Sequence, residues 1–290
     1  MSNVTLNVEH RFELVEESRV ETLNSVIYRV QDLDLHRDVC LKLVRIPGDT
    51  KDEVQTNLKS AMHEVGLMSK FADETSSIPP VYMVHFNERQ NVLMIFMKWV
   101  RGNTLEHEMK KFIPEGKMVR WMLDLSETLD LMARSHIYHK DIKPANIMID
   151  PHTDNMTLLD FNISISLPNH IDGTMYYKAP EMDTHSLYTD RSKVDMFAIG
   201  VMLYEYYTGH FPVPLEDYAR TTKLAGPVWT KFVEPIEKKK DLNPDMNNII
   251  VKCMKYNPRD RYASMRQLCN ELKHYLKTKG GKHGHKQERK

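Results

Sequence analysis

The stretch from residue 139 to residue 146, HKDIKPAN, decides the fold of this chain. It places two lysines, an aspartate and an asparagine in one short polar segment. Before it, apolar residues from Met118 to Met132 recur at steps of three and four, which predicts an amphipathic helix. After it, the runs IMID and TLLD predict two short strands, and the second run ends at Asp160. The polar segment therefore joins a helix to a pair of strands.

The segment 139–146 resembles the catalytic loop of protein kinases, which follows the pattern H-R-D-L-x-x-x-N. The resemblance implies that Asp141 accepts or orients the proton of a substrate hydroxyl and that Lys143 faces the γ-phosphate of ATP. It also implies that Asn146 supplies an oxygen ligand to Mg²⁺, with Mn²⁺ as the alternative ion. Three positions of the pattern, His139, Asp141 and Asn146, match within eight residues, which makes a chance match a poor explanation.

Asp160, Phe161 and Asn162 resemble the D-F-G motif of the same family. The resemblance implies that Asp160 chelates the metal ion across the phosphates. Asn162 departs from the motif, because glycine is the usual residue there. Asparagine is among the residues other than glycine that most often adopt a positive φ. The backbone geometry of the motif can therefore survive this change.

The sequence GTMYYKAPE at 173–181 resembles the end of a kinase activation segment. In serine/threonine kinases the threonine of this motif bridges the catalytic aspartate and the loop lysine. Here those positions are Thr174, Asp141 and Lys143, so the resemblance favours serine or threonine acceptors over tyrosine. It also favours a protein substrate, because this segment shapes the surface on which a peptide docks.

Two further resemblances concern the fold more than the chemistry. Glu181 occupies the position of a glutamate that pairs with a buried arginine near the end of the domain, and Arg261 lies in a matching context. Asp195 resembles the helix aspartate that holds the backbone of the catalytic loop. Loss of one partner of such a buried ion pair costs several kcal/mol.

In the front half, the sequence VCLK at 39–42 resembles V-A-I-K on the third strand of a kinase. The resemblance implies that Lys42 holds the α- and β-phosphates and that a glutamate on the following helix fixes it. Glu64 lies 22 residues on (64 − 42), in the middle of an amphipathic stretch, and is the candidate. By the same resemblance, Met97 is the gatekeeper of the site that binds adenine. The carbonyl of Lys98 and the amide of Val100 face adenine there. The lining consists of Cys40, Met148 and Leu159.

The glycine-rich phosphate loop of the family is missing, since the first glycine of the chain is Gly48. In an alignment on SVIYRV, the three glycines are replaced by Val20, Thr22 and Ser25. These side chains should hold the loop further from the phosphates than glycine does. We hypothesise that the hydroxyls of Thr22 and Ser25 bind phosphate oxygens instead.

Lys140 replaces the arginine of H-R-D, and lysine is a weaker partner for a phosphorylated residue than arginine. The segment from Asp160 to Glu181 is also short. We therefore expect little dependence on phosphorylation of the activation segment.

Composition limits the classes of partner. The 290 residues carry 40 lysines and arginines against 40 aspartates and glutamates, so no overall field favours nucleic acid or anionic membrane. Three scattered cysteines form neither a metal motif nor a disulfide framework, which predicts a cytoplasmic location. No run of apolar residues predicts a signal peptide or a membrane span. The alternative that the chain belongs to a truncated receptor stays open. The oligomeric state is not predicted.

The resemblance covers roughly residues 10–276 and implies an α+β, bilobal protein-kinase fold. We expect a five-stranded antiparallel sheet with one main helix, within an N-terminal lobe and hinge at residues 8–103. A larger helical lobe is expected at residues 104–277, with ATP bound between the lobes. The basic stretch 278–290 is expected to be disordered.

The sequence of the catalytic loop is similar to that of bacterial eukaryotic-like serine/threonine kinases. The leading hypothesis is therefore an active serine/threonine protein kinase. The second is a pseudokinase that binds nucleotide and acts as a scaffold, favoured by the absent glycines and by Asn162. A kinase that acts on a small-molecule hydroxyl and a non-enzymatic helical module are the remaining alternatives. Transfer of phosphate from Mg·ATP separates the first hypothesis from the second.

Overall fold

The computed structural model describes residues 11–15, 19–21, 25–160, 176–183, 191–213 and 232–284. These residues form two compact units, the first ending at Arg101 and the second beginning at Gly102. Each unit has a buried apolar core of its own. Of the predicted site residues, Thr22 and Thr174 lie outside the described residues, and the predicted domain limits stay predictions.

In the first unit, antiparallel strands form one sheet in the order β1-β3-β4-β6-β5, and β2 pairs with β3. The segments are rich in β-branched and apolar residues, which favour the pleated, half-buried surface of a sheet. Strand β4 lies in the middle of the order, between β3 and β6. The strands are β1 Phe12–Leu14, β2 Val20–Glu21, β3 Ser25–Asp32, β4 Arg37–Arg45, β5 Val81–Asn87 and β6 Val92–Lys98.

The described sheet has six strands where we predicted five, because β1 and β2 are separate short strands that both pair with β3. Leu14 in β1 pairs with Val30, whereas Val20 in β2 pairs with Ile27. Five residues thus lie between the two pairs on one side and two residues on the partner strand. The two numbers differ by three, so β1 and β2 cannot continue one ladder of paired residues. They pair with β3 in separate registers.

Helix α1 spans Lys51–Glu74 and covers one face of this sheet. It begins with a capping box, in which Thr50 accepts the amide of Glu53 and the Glu53 side chain accepts the amide of Thr50. Its buried side chains recur at helical spacing and include Ala61 and Val65. Both belong to a cluster that also contains residues of β4 and β6. The opposite face of the sheet has a second apolar cluster.

The second unit is mostly helical and includes a small sheet in the order β7-β8-β9. Its strands are β7 Asn103–Thr104, β8 Ile147–Ile149 and β9 Met156–Leu158. Its helices are α2 Leu105–Glu108, α3 Glu115–Ala133, α4 Val194–Thr208, α5 Pro235–Lys238, α6 Pro244–Cys253 and α7 Met265–Gly284. A sheet with one long helix, followed by a mainly helical unit, confirms the predicted α+β class.

Helix α4 is apolar on all sides, and every residue from Val194 to Tyr204 is buried. A helix of this kind belongs to the interior of a unit. None of the helices in the described parts of the chain combines the length and the apolar character that a bilayer crossing requires.

Helix α7 continues to Gly284, seven residues into the stretch that we predicted to be disordered (278 to 284). The predicted start of the tail is therefore corrected. A helix that is already formed adds one hydrogen bond for each further residue, which favours its continuation. The packed part of α7 includes Tyr275, which is 2% exposed and donates a hydrogen bond to Glu115. Residues 285–290 lie outside the described residues.

A buried ion pair joins two distant segments of the second unit, as predicted. The guanidinium of Arg261 donates to both carboxylate oxygens of Glu181, at 2.5 and 2.7 Å. It also donates to the carbonyls of Lys255 and Lys193, at 2.8 and 3.1 Å. These backbone acceptors matter because a buried charge is costly unless hydrogen bonds satisfy the rest of its donors.

We expect Arg261→Met to lower the free energy of unfolding by about 3–5 kcal/mol, because it leaves the Glu181 carboxylate buried without its cation. Urea unfolding followed by circular dichroism measures this loss. The control is Lys117→Ala, which removes an exposed pair with Asp154 at 2.7 Å and should cost less than about 1 kcal/mol. Equal small losses for both variants would contradict the importance of the buried pair.

Two helical glycines should respond in opposite ways to alanine. A Cβ at Gly66 in α1 meets nothing within 4 Å, whereas a Cβ at Gly200 in α4 would lie 2.6 Å from Met254 Cγ and 2.8 Å from Cys253 Cβ. Gly66→Ala should therefore stabilise the protein by about 0.5–1 kcal/mol. Gly200→Ala should destabilise it by about 1–3 kcal/mol. The urea midpoints of the two variants test both signs, and a shift in the same direction would refute the comparison.

Candidate active site

The carboxylate of Asp195 fixes the start of the loop 139–146. Asp195 is the second residue of α4 and is 4% exposed. Its two oxygens accept the backbone amides of His139 at 2.8 Å and Lys140 at 2.7 Å. Burial raises the pKa of Asp195, while the neighbouring imidazole of His139 and the two amide donors oppose this rise. The predicted role of Asp195 as the residue that holds the loop backbone is confirmed.

Three predicted residues converge within this loop. The Lys143 Nζ lies 2.8 Å from the Asp141 Oδ2. The Asn146 Nδ2 donates to the same Oδ2 at 3.0 Å and to the backbone carbonyl of Asp141 at 2.8 Å. Both bonds use the nitrogen of the Asn146 amide, and its oxygen takes part in no hydrogen bond among the described residues. That oxygen is a hard donor of the kind that Mg²⁺ prefers.

The backbone brings Asp160 to the same place. Strand β8 begins directly after Asn146 and pairs with β9, and the amide of Leu159 then donates to the carbonyl of Asn146 at 2.8 Å. Asp160 follows with a φ of +55°, a left-handed conformation that is uncommon for residues other than glycine. Strain of this kind occurs at functional sites more often than elsewhere. The two predicted metal ligands are therefore neighbours, although they lie 14 residues apart (160 − 146).

His139 connects the parts of this site, a role that was not predicted for it. Its Nε2 lies 3.0 Å from the carbonyl of Leu159, and its Nδ1 accepts the amide of Asp141 at 3.4 Å. Its side chain is buried, at 3% exposed. The signal for this role was present in the sequence, since His139 opens the motif and a buried histidine needs partners for both ring nitrogens.

In the first unit, Lys42 lies on the face of the sheet that α1 covers. Lys42 is buried, with 8% exposed, in the middle of β4. It points to the same face as Val44, two residues on, and Val44 belongs to the cluster that contains Ala61 of α1. Glu64 is half-buried and lies one turn beyond Ala61 on the flank of that helix. Lys42 and Glu64 thus belong to layers that pack against each other.

The residues predicted to line the adenine site are divided between the two units. In the first unit, Met97 is buried and pairs with Cys40 across β4 and β6. The amide of Lys98 donates to the carbonyl of Pro80 at 2.9 Å, which holds the end of β6. Val100 is half-buried. In the second unit, Met148 in β8 and Leu159 after β9 are also half-buried.

Two of the three residues predicted to form the phosphate loop lie in strands, and their predicted contact with phosphate stays a prediction. Val20 belongs to β2 and is 56% exposed. Ser25 begins β3, pairs with Val44 and is 5% exposed. Val20 pairs with Ile27 across β2 and β3. The alignment on SVIYRV could not show this, since strand ends depend on the pairing partner.

The structure of the chain and its sequence both match known proteins. A family model for the protein kinase domain matches residues 23–273. A probable serine/threonine-protein kinase of Clostridium acetobutylicum is 26% identical and aligns with 91% of this chain and 40% of its own length. The serine/threonine-protein kinase PrkC of Bacillus subtilis is also 26% identical, over 85% of this chain and 38% of its own. PknB of Mycobacterium leprae is 24% identical, over 86% and 40%.

Among solved structures, the crystal structure of Rad53 residues 1–466 in complex with AMP-PNP superposes with a TM-score of 0.71. The two chains are 17% identical, and the match covers 90% of this chain and 64% of that one, so this likeness concerns the fold. The chain spans about two fifths of the length of the bacterial relatives. Their names confirm the predicted similarity to bacterial serine/threonine kinases. With the family model matched from residue 23 to residue 273, this chain belongs to the protein kinase domain family.

Proposed function

We propose that this chain transfers the γ-phosphate of ATP to serine or threonine hydroxyls of proteins. The observation that carries the proposal is the convergence of Lys143 and Asn146 on one carboxylate oxygen of Asp141. In the proposed step, the acceptor oxygen bonds to the γ-phosphorus while the bond from this phosphorus to the β–γ bridging oxygen breaks. Asp141 orients the hydroxyl and receives its proton, and Lys143 offsets the charge on the phosphoryl oxygens.

Asn146 and Asp160 are the residues that would hold Mg²⁺, with Mn²⁺ as the alternative ion. Family membership implies ATP and a divalent metal in general. The donor set fits a hard cation, because it consists of an amide oxygen and a carboxylate. The ion would neutralise charge on the phosphates. The contact of the Leu159 amide with the Asn146 carbonyl would keep the two ligands at a fixed separation.

The first unit would supply the nucleotide contacts. Lys42 would bind the α- and β-phosphates, and Glu64 would orient it from α1. The carbonyl of Lys98 and the amide of Val100 would face adenine, beside the gatekeeper Met97. A cytoplasmic location is part of the proposal, since the three cysteines form no disulfide among the described residues.

We expect Asp141→Asn to lower kcat by about 10²–10⁴-fold, because it removes the proton acceptor. Nucleotide affinity should change little, since Asp141 faces the acceptor rather than the nucleotide. Labelled phosphate transfer and titration with a fluorescent nucleotide measure the two effects separately. Asp73→Asn makes the same chemical change at an exposed position of α1 and should leave both unchanged. Parallel loss of affinity and transfer in Asp141→Asn would contradict this role.

Asp160→Asn tests the metal site and separates the kinase from a nucleotide-binding scaffold. With Mg·ATP, the wild-type chain should label serine or threonine on itself or on a generic basic protein. The variant should give no label, because it loses the charged ligand of the metal ion. If the wild type gives no label while Mg·ATP raises its melting temperature, the proposed transfer is wrong and the scaffold function is favoured.

A further inference from the structure

Residues 99–101 follow strand β6 and carry one of the proposed contacts with adenine, the amide of Val100. Strand β6 ends at Lys98, and the next strand begins five residues later. Within the described part of the chain, no backbone group of residues 99–101 forms a hydrogen bond with another backbone group. The ladder of the sheet therefore stops before Val100, and other contacts must hold this segment.

The side chain of Arg29 lies in one row with two residues of the predicted adenine site. Arg29 pairs with Cys40 across β3 and β4, and Cys40 pairs with Met97 across β4 and β6. Residues that pair directly on neighbouring strands place their side chains on the same face of the sheet. Arg29 therefore lies on the face that carries Cys40 and Met97.

Arg29 links strand β4 to the first residue after β6. Its Nη2 donates to the Asp38 Oδ2 at 2.7 Å, a charge-assisted bond of the stronger kind. Its guanidinium carbon lies 5.6 Å from the centroid of the Trp99 ring, within the range of a cation–π attraction. The bond from Arg29 lowers the pKa of Asp38, and burial opposes this change. Asp38 thus stays charged at neutral pH, and Arg29 connects it to Trp99.

A second arginine reaches the same carboxylate oxygen from the other side of Val100. The Arg101 Nη2 lies 3.4 Å from the Asp38 Oδ2. Arg101 is exposed whereas Asp38 is half-buried, so this longer contact is the weaker of the two. Trp99 and Arg101 are the residues on either side of Val100. Asp38 is therefore connected to the segment both before and after the amide that is proposed to face adenine.

Contacts of this kind matter for binding because residues 99–101 lack a backbone ladder. Fixing a free segment in one conformation costs conformational entropy. When the protein alone already fixes the conformation, a ligand that needs it binds more tightly. The side-chain contacts of Asp38 restrict the segment before any nucleotide arrives.

We propose that Asp38 is a positioning residue of the adenine site, which holds residues 99–101 in the conformation that presents the Val100 amide to the base. It acts through the guanidinium groups of Arg29 and Arg101. The inference rests on the proposed function, because it assumes that this segment binds adenine. Loss of the Asp38 carboxylate weakens the contact with the base and leaves the contacts with the phosphates unchanged.

Asp38→Asn tests this role, because it removes the charge and keeps the size of the side chain. Isothermal titration calorimetry of the whole chain compares adenosine, which has no phosphates, with Mg·ATP. Both ligands should bind the variant about tenfold more weakly, as expected when a preorganised segment is released. The factor should be the same for both, since the phosphate contacts are unaffected. In phosphate transfer, KM for ATP should rise with little change in kcat.

A double-mutant cycle with Trp99→Leu tests the path through Arg29. If Asp38 acts on Trp99, the double variant should bind adenosine about as weakly as the weaker single variant. The control is Asp34→Asn, which makes the same chemical change in the turn between β3 and β4. Asp34 is exposed and pairs with Arg11 at 3.5 Å, so its variant should bind both ligands as wild type does.

If Asp38→Asn fails to fold, Arg101→Gln decides, since its side chain is exposed. It should weaken the binding of adenosine about twofold, as the loss of an exposed ion pair does. Unchanged affinity for adenosine in the folded variants would overturn the positioning role. So would a larger loss for Mg·ATP than for adenosine, which would indicate damage beyond the adenine contact, or losses that simply multiply in the cycle.

Transfer and binding together separate this role from the proposed function. Transfer by wild type, with adenosine bound equally well by wild type and Asp38→Asn, would leave the kinase activity standing and remove the role of Asp38. A selective loss of adenosine binding in Asp38→Asn, with no transfer by wild type, would establish the role and contradict the kinase activity. A wild type that binds no adenosine would overturn both the role and the proposed adenine contact.

Discussion

The candidate site depends on one interaction, the bonds from the amides of His139 and Lys140 to the carboxylate of Asp195. The loop has no regular ladder at this point, so its buried amides need acceptors from elsewhere. A carboxylate supplies two of them from one rigid, fully packed helix. With the backbone fixed, the side chain of Asp141 is held for contact with Lys143 and Asn146. Burial raises the pKa of Asp195, because the charged carboxylate loses its contact with water. This lost hydration is the electrostatic cost of the arrangement.

The second constraint is the short hairpin that returns the chain from Asn146 to Leu159. Pairing of β8 with β9 ends in a bond between these two residues, so Asp160 must lie beside Asn146. Two residues of the region adopt positive φ, Lys140 at +66° and Asp160 at +55°. Such conformations cost of order 1 kcal/mol or more each and persist because the hydrogen bonds around them allow few alternatives.

Motifs within the second unit were predictable from sequence, because each motif is a short stretch in which the chemistry allows few residue types. The pairs Glu181–Arg261 and Asp195 with the loop backbone are examples, although their partners are far apart in the chain. The first unit was less predictable. Val20 and Ser25 were placed in a loop, but their positions depend on the register with β3 and β4, and register is a property of the strand pair. The end of α7 was also misjudged, since composition does not report how far a docked helix continues.

Charge in this protein acts locally. With 40 basic and 40 acidic residues, the chain has no net field to attract an acceptor from a distance. Any electrostatic contribution to the proposed recognition of an acceptor must then come from groups within contact range, where partial burial strengthens each interaction. In the candidate site these groups include the cation of Lys143 and the carboxylate of Asp141, which lie 2.8 Å apart. Two opposite charges this close orient an approaching polar group more firmly than a single charge does, because reversal of that group would bring like charges together.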